Sequence, residues 1–363
     1  MKKGKIWSRW PWFIPLNNGK PIFEKSDFNL IEGEPIYFEL DELGRSNGAI
    51  AILSKYTIPL VIKKDLTYPD PYGWTKSFEN QVHKEIEVPN NSKKVYLIDN
   101  EEYICIKDDD YNYTILTDGR EQGIKWPFRI LRELLVREKE DTGNLFMHGT
   151  GILLNESGIL LLGNSGSGKT TLAVEMISED MEKKGFVSND RVFMRDGEMQ
   201  YFPIPIVFAS GTAKNNQYLD EYFKKTRLYE RRTGKSYEST LNNDEVPVPL
   251  TDIERIFEEI KLESQRKIDT IIFQKINFSM GSSFRIEEMD TRKKYTSLDR
   301  TCFTPFDSES LRLEWIRKKK KNIDEITENK YDVIQEIMKE KQLVQLEYGP
   351  ESNKKEIIED IVR

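Results

Sequence analysis

The sequence predicts an α/β (α+β) fold, with a P-loop nucleotide-binding domain built on a mixed sheet behind a β-rich N-terminal domain. Three observations carry this reading. The apolar run Ile159-Leu160-Leu161-Leu162 leads into Gly163-Asn164-Ser165-Gly166-Ser167-Gly168-Lys169-Thr170, and Thr171-Leu172-Ala173-Val174-Glu175-Met176-Ile177 then reads as a helix. A second apolar stretch, Leu145 to Leu154, is joined to the first by the turn residues Asn155-Glu156-Ser157-Gly158. Short β-branched or aromatic runs fill residues 1–125.

The 363 residues exceed one small core and suit about two or three domains. We divide them into a β-rich domain (1–125), a nucleotide-binding domain (126–315) and a C-terminal helix and tail (316–363). Charged residues reach 32%, yet an aromatic content of 11% argues against disorder. A net charge of −7 disfavours non-specific nucleic-acid binding. Cys105 and Cys302 have no metal-type spacing, which points to a reducing, cytoplasmic setting without a disulfide framework. Lys2, Lys3, Lys5 and Arg9 lie among Trp7, Trp10 and Trp12, but Pro11 and Pro15 interrupt the short apolar run. Neither a signal peptide nor a membrane span is expected.

Within the first domain, Pro35–Leu40, Lys94–Ile98 and Glu102–Ile106 read as strands, and Asp99-Asn100-Glu101 turns the last two into a hairpin. Pro69 to Gly73 is a loop, and His83 stands alone as a surface or packing histidine. This domain suits partner recruitment or homo-oligomer formation. Trp126 to Glu138 has apolar residues near helical spacing, and Glu138 to Thr142 is a charged connection. Leu145–Leu154 and the P-loop strand should pair as an antiparallel hairpin. A turn centred near Glu156 sets His148 opposite Asn164 or Ser165, beside the loop. Gly185 to Met194 reads as a strand broken by a polar triplet, and Arg195-Asp196-Gly197 turns it into Met199–Phe202.

In the loop, glycines let successive N–H groups turn inward around phosphate, and the helix start adds its positive dipole end. Gly163, Asn164, Ser165, Gly166, Ser167, Gly168, Lys169, Thr170 and Thr171 form the expected triphosphate cradle. Lys169 can reach the β- and γ-phosphates and the Thr170 hydroxyl can ligate Mg²⁺. Asp190, 21 residues beyond Lys169 at a strand end, can support the same metal or take a proton from an incoming hydroxyl. A plain turn aspartate is the alternative for Asp190, as a sheet histidine is for His148.

His148-Gly149, the P-loop fifteen residues after that histidine, and a polar pair at a strand end resemble the HPr kinase/phosphorylase catalytic domain. The likeness covers about 140–210 well and reaches more weakly to about 310. There, Thr301-Cys302-Phe303-Thr304-Pro305-Phe306-Asp307 is similar to a segment of HPr-kinase-like proteins. It implies a fold related to ATP-dependent phosphoenolpyruvate carboxykinases, with ATP and Mg²⁺ used to phosphorylate a hydroxyl of a protein, peptide or small metabolite. It places His148 near the transferred group and Thr170 and Asp190 at the metal. HPr kinases carry two aspartates at the pair; here the first is Asn189, an amide that takes no proton at neutral pH. Either Asp190 or His148, or the two together, then handles the proton, or the chemistry differs. The family's second signature stretch is not evident, which leaves the acceptor open.

Farther on, Pro203 to Thr212 is an apolar loop, Asn215 to Arg227 a helix, and Arg231 to Ser236 a basic loop that reads as a solvated loop or a lid. Thr251 and Glu254 fit a capping box. Ile268–Ile276 and Phe284–Ile286 read as strands, with Asp307 in a turn as a further candidate. Arg317 to Lys321 is a basic run before a helix to about Lys341. Two rival functions stay open. A P-loop NTPase coupling hydrolysis to assembly needs a carboxylate after four apolar residues, yet Asp269 precedes its apolar run. A nucleotide-responsive binding module without turnover needs no base at all.

Overall fold

In the computed structural model, the described residues are 136–179, 182–202, 206–227, 229–230, 235–248, 252–257, 259–305 and 320–362, with the backbone of short strands between 16 and 117. The chain divides into two compact units, Met1–Arg137 with Ser310–Lys318, and Glu138–Glu309 with Lys319–Arg363. Expectations for Met1–Phe13, Pro35–Leu40, Pro69–Gly73, His83, 126–135, 231–234, Thr251, Asp307 and 311–319 lie outside the described residues.

In the first unit, a six-stranded sheet runs in the order Asn47–Leu53, Tyr56–Ile62, Tyr113–Thr117, Tyr103–Lys107, Lys94–Leu97, Lys84–Glu87. Tyr56–Ile62 and Tyr113–Thr117 pair parallel, and the other neighbours pair antiparallel. The expected hairpin is present, with Lys94 opposite Lys107 and Leu97 opposite Ile104.

The second unit combines helices with mixed sheet. Its strands are β1 (Leu145–Met147), β2 (Gly149–Leu154), β3 (Ser157–Leu162), β4 (Lys184–Ser188), β5 (Val192–Arg195), β6 (Glu198–Gln200), β7 (Ile206–Ala209) and β8 (Glu245–Val248). They continue as β9 (Ile260–Leu262), β10 (Gln265–Lys267), β11 (Thr270–Ile276), β12 (Phe284–Glu288) and β13 (Gln342–Tyr348). The helices are α1 (Lys169–Ser178), α2 (Ser210–Asn215), α3 (Gln217–Thr226), α4 (Ile253–Ile256), α5 (Thr291–Thr301), α6 (Ile323–Glu340) and α7 (Lys354–Val362).

The main sheet has seven strands in the order β9-β4-β2-β3-β11-β13-β12. β3 lies inside it, antiparallel to β2 and parallel to β11. That position explains its near-continuous apolar run, because a strand covered on both faces has no polar side to show. Alternation then sorts its residues. Leu160 and Leu162 join Ile271, Phe273, Leu343, Leu298, Ile334 and Ile337 in one core beneath α5 and α6. α1 packs against β2, β3 and α7. A second sheet, β10-β6-β5-β1, shares that core through Leu145, Met147, Val192, Met194 and Met199.

Three readings change. Within the apolar loop expected over 203–212, Ile206–Ala209 is β7 and Ser210 opens α2. The connection 138–142 is helical, since residues 136–141 form helix, and the helix-favouring Lys139 and Glu140 allow this. The stretch 316–363 is more than a helix and tail. Asn322 and Glu325 form a capping box at the start of α6, and β13 then enters the sheet between β11 and β12. Leu343, Val344, Leu346 and Tyr348 bury their side chains there, a short signal flanked by charge on both sides.

Leu160 is fully buried at the centre of β3. Leu160→Ala should lower stability by about 2–5 kcal/mol, read as faster hydrogen exchange of the β3 amides.

Candidate functional site

Two chain segments pass from one sheet into the other, side by side. Leu145–Met147 belongs to the four-stranded sheet and Gly149–Leu154 to the seven-stranded one; the break is His148. Lys184–Ser188 and Val192–Arg195 divide the same way, and the break is Asn189-Asp190-Arg191. The pairings Met147 with Val192 and Gly151 with Ser188 share one register. His148 therefore faces Arg191, Gly149 faces Asp190 and Thr150 faces Asn189. The Gly149 N–H donates to the Asp190 carbonyl over 3.2 Å. The histidine and the aspartate meet because both breaks fall at the same level.

The hairpin pairs Gly149 with Leu162, one residue away from the expected register. The cause is the tight turn at Asn155 (φ 47°) and Glu156 (φ 75°), where positive φ at both residues gives a two-residue connection. His148 thus falls level with Gly163 rather than with Asn164 or Ser165. Its own N–H donates to the Thr301 carbonyl over 2.7 Å.

The loop Gly163–Thr170 closes over itself. The Lys169 ammonium donates to the carbonyls of Gly163 (2.9 Å) and Asn164 (3.1 Å), and the residue is only 6% exposed. Burial pulls its pKa down to about 8, with Asp190 opposing the fall. Gly168 caps α1 at φ 85°, where a side-chain carbon would come within 2.5 Å of the Tyr348 hydroxyl. Gln274 of β11 ties the loop down by donating to the Ser167 carbonyl at 2.9 Å. Thr171 exchanges a hydrogen bond with Thr212 at 2.8 Å, so its hydroxyl is directed to α2.

Asn189 links the loop to the sheet break. Its amide oxygen accepts from Thr150 (3.0 Å) and from Thr170 (3.1 Å), and the residue is 4% exposed. The amide at this position is thereby accounted for: it orients the Thr170 hydroxyl. Asp190 stands at the apex of a three-residue turn at φ 64°, closed by the Arg191 N–H donating to the Asn189 carbonyl at 2.7 Å. Its carboxylate lies 3.2 Å from His148 Nε2 and 3.6 Å from Arg191 Nε, with half of the side chain open. Burial works against its ionisation, but the hydrogen bond and charge of His148, with Arg191 and Lys169, outweigh that and hold its pKa below the usual carboxylate value.

Aromatic side chains support the pair from behind. His148 stacks on Phe303 with ring centres 5.5 Å apart, and the Arg191 guanidinium lies 4.4 Å from the same ring. The Phe303 N–H donates to the Phe146 carbonyl over 2.7 Å, and Thr304 accepts from the Phe146 N–H over 2.9 Å. The segment 301–304 is thus an extra partner for the edge of β1.

The structure therefore brings together His148, Asp190, Lys169 and Thr170. It places Asp269 elsewhere: its carboxylate accepts from the Gly158 N–H at 2.8 Å, at the end of β3 remote from the loop. Thr150, Arg191, Phe303 and Gln274 were missed. Register could have found Thr150 and Arg191, which face Asn189 and His148. Phe303 and Gln274 reach the site only through strand pairing that no local pattern announces.

Among the described residues, no group of three or more His, Cys, Asp or Glu is placed to hold a metal alone. The Thr170 hydroxyl and Asp190 carboxylate are hard oxygen donors of the kind Mg²⁺ takes when phosphate oxygens and water complete its shell. Ser167 Oγ, buried inside the loop without a hydrogen-bond partner, also fits an anion there. Among the described residues, no helix is long and apolar enough to cross a membrane. No protein-family model matches the chain, and no curated protein matches its sequence.

Thr150→Val removes one of the two donors to Asn189 and should cost about 0.5–1.5 kcal/mol of stability. Asn189→Ala strands both hydroxyls and should cost about 1–3 kcal/mol or more. Denaturant unfolding checks the order; equal stability of both variants and wild type contradicts the hub.

Proposed function

We propose that this chain binds ATP with Mg²⁺ at the loop Gly163–Thr170 and transfers the γ-phosphoryl group to a hydroxyl of a protein, peptide or small molecule. The single observation that supports this most is the His148–Asp190 contact of 3.2 Å, tied through neighbouring Asn189 to Thr170. An ionised carboxylate and an imidazole stand next to the residues expected to hold the terminal phosphate.

Each residue has a task. Lys169 exchanges the carbonyls of its own loop for phosphate oxygens. Thr170, aimed by Asn189, and Asp190 hold Mg²⁺, which supplies neutralisation of phosphate charge. The acceptor oxygen bonds to phosphorus as the bond from phosphorus to the β–γ bridging oxygen breaks, and ADP departs. The acceptor's proton passes to Asp190, half of whose side chain is open. His148 keeps that carboxylate ionised and oriented, and stacking on Phe303 keeps His148 in place. A weak base suffices where the transition state is loose and catalysis is mostly positioning and charge neutralisation. Membership of an HPr-kinase-like group, with a fold related to the carboxykinases, is part of the same proposal. The engagement of Asp269 with Gly158 weighs against hydrolysis coupled to assembly. The use of Asn189 as a two-hydroxyl acceptor weighs against reading its amide as a lost base.

Two outcomes are expected. In a native extract with γ-labelled ATP, wild type labels an acceptor. Lys169→Ala and Asp190→Ala should each lose at least about 100-fold, the scale of removing one charged or oriented group. Equal labelling in all three removes the kinase assignment. ATP affinity should also follow Lys169. Its free-state pKa is about 8 and bound phosphate favours the charged form, so binding takes up a proton above that pH. Affinity should fall by up to about tenfold per pH unit above pH 8 and stay level below it, as far as this group is concerned. Calorimetry across that range, with Lys169→Gln as the flat control, checks the slope.

A further inference from the structure

We propose that Phe278 is the platform on which the base of the bound nucleoside triphosphate stacks; this rests on the reading that the loop Gly163–Thr170 holds the phosphates. Phe278 opens the short 3₁₀ turn Phe278–Met280 directly after β11 and is 80% exposed, the most exposed large apolar side chain among the described residues. No function described above uses it.

Strand direction puts it at the right end. β11 and β13 run parallel to β3, so their carboxyl ends share the edge of the sheet where the loop starts. Open α/β sheets bind ligands at that edge. Contact is close: a side-chain carbon on Gly168 would lie 2.9 Å from Ile276 Cδ1, and Ile276 is two residues before Phe278.

Sheet order puts it on the right side. His148 and Asp190 belong to the breaks at β2 and β4, on one flank of β3. Those residues mark where the terminal phosphate goes. An extended triphosphate lying across the loop then carries its ribose and base to the other flank, over β11 and β13. Neighbouring strands are about 4.8 Å apart, so Phe278 is one strand away from the loop on that flank.

The turn that carries the ring is also pinned. The Asn277 N–H donates to the Tyr348 carbonyl (2.8 Å), and the Asn277 side chain accepts from Ser279 N (3.1 Å). Ser283 N–H closes on the Met280 carbonyl (2.9 Å), and Gly349 N–H on the Ser283 carbonyl (3.0 Å). An exposed ring on a pinned turn gives up little conformational freedom when a flat ligand covers it. Stacking reads no base edge, so the platform accepts adenine and guanine alike.

The test uses the full chain, ATP and inorganic tripolyphosphate, each with Mg²⁺, and three variants. Phe278→Ala should weaken ATP by about 5- to 100-fold and leave tripolyphosphate unchanged. Phe278→Trp should keep ATP affinity and add fluorescence that ATP quenches and tripolyphosphate does not. Lys169→Ala should weaken both ligands. If Phe278→Ala binds ATP like wild type, or loses both ligands equally, the platform is overturned while the phosphate site stands. If Lys169→Ala weakens neither ligand, the phosphate site itself is wrong and the platform goes with it.

Discussion

Everything at the candidate site depends on two antiparallel segments leaving one sheet for another at the same level. Backbone ladders are broken at His148 and at Asn189-Asp190-Arg191, and at such a break N–H and C=O groups lose their regular partners. The chain replaces them locally. His148 turns to Thr301, Gly149 to the Asp190 carbonyl, and Arg191 to Asn189. Polar side chains are tolerated there for the same reason, because the break already needs donors and acceptors. A continuous sheet would favour apolar residues here, as at Leu145–Met147 and Val192–Met194.

The break also sets the electrostatics. Burial disfavours the charge of Lys169, while Asp190 gains more from His148, Arg191 and Lys169 beside it than it loses to burial. The lysine waits for an anion and the carboxylate stays ionised. Arg191, itself buried, is held between Asp190 and the rings of Phe303 and Phe146, so part of the positive field is fixed in place. Such preorganisation is what phosphate chemistry draws on, since it asks for little covalent participation from the protein.

Much of this was legible in the chain itself. The loop and both flanks were visible because a glycine-rich turn between a strand and a helix has a local signature. The hairpin was visible from its turn residues, although its register was placed one residue off for want of the backbone angles at Asn155 and Glu156. Asp190 stood out through its spacing from Lys169. The role of Asn189 did not, because it depends on two threonines, one of them on another strand. β13 escaped because a short buried strand between charged helices looks like part of either. Phe303 and Phe278 gain meaning only after strand order is known, which is long-range information.

The central claim is that His148 and Asp190 converge with the loop on one terminal phosphate. The chain has two histidines, His83 and His148, so the substitution His83→Gln assigns the imidazole signals outright. The direct measurement is the ¹⁵N spectrum of His148 with a non-hydrolysable ATP analogue and Mg²⁺, compared with ADP and Mg²⁺. The account predicts a large displacement of the Nε2 resonance with the triphosphate and a much smaller one with the diphosphate. Identical His148 spectra with the two nucleotides, both fully bound, contradict it.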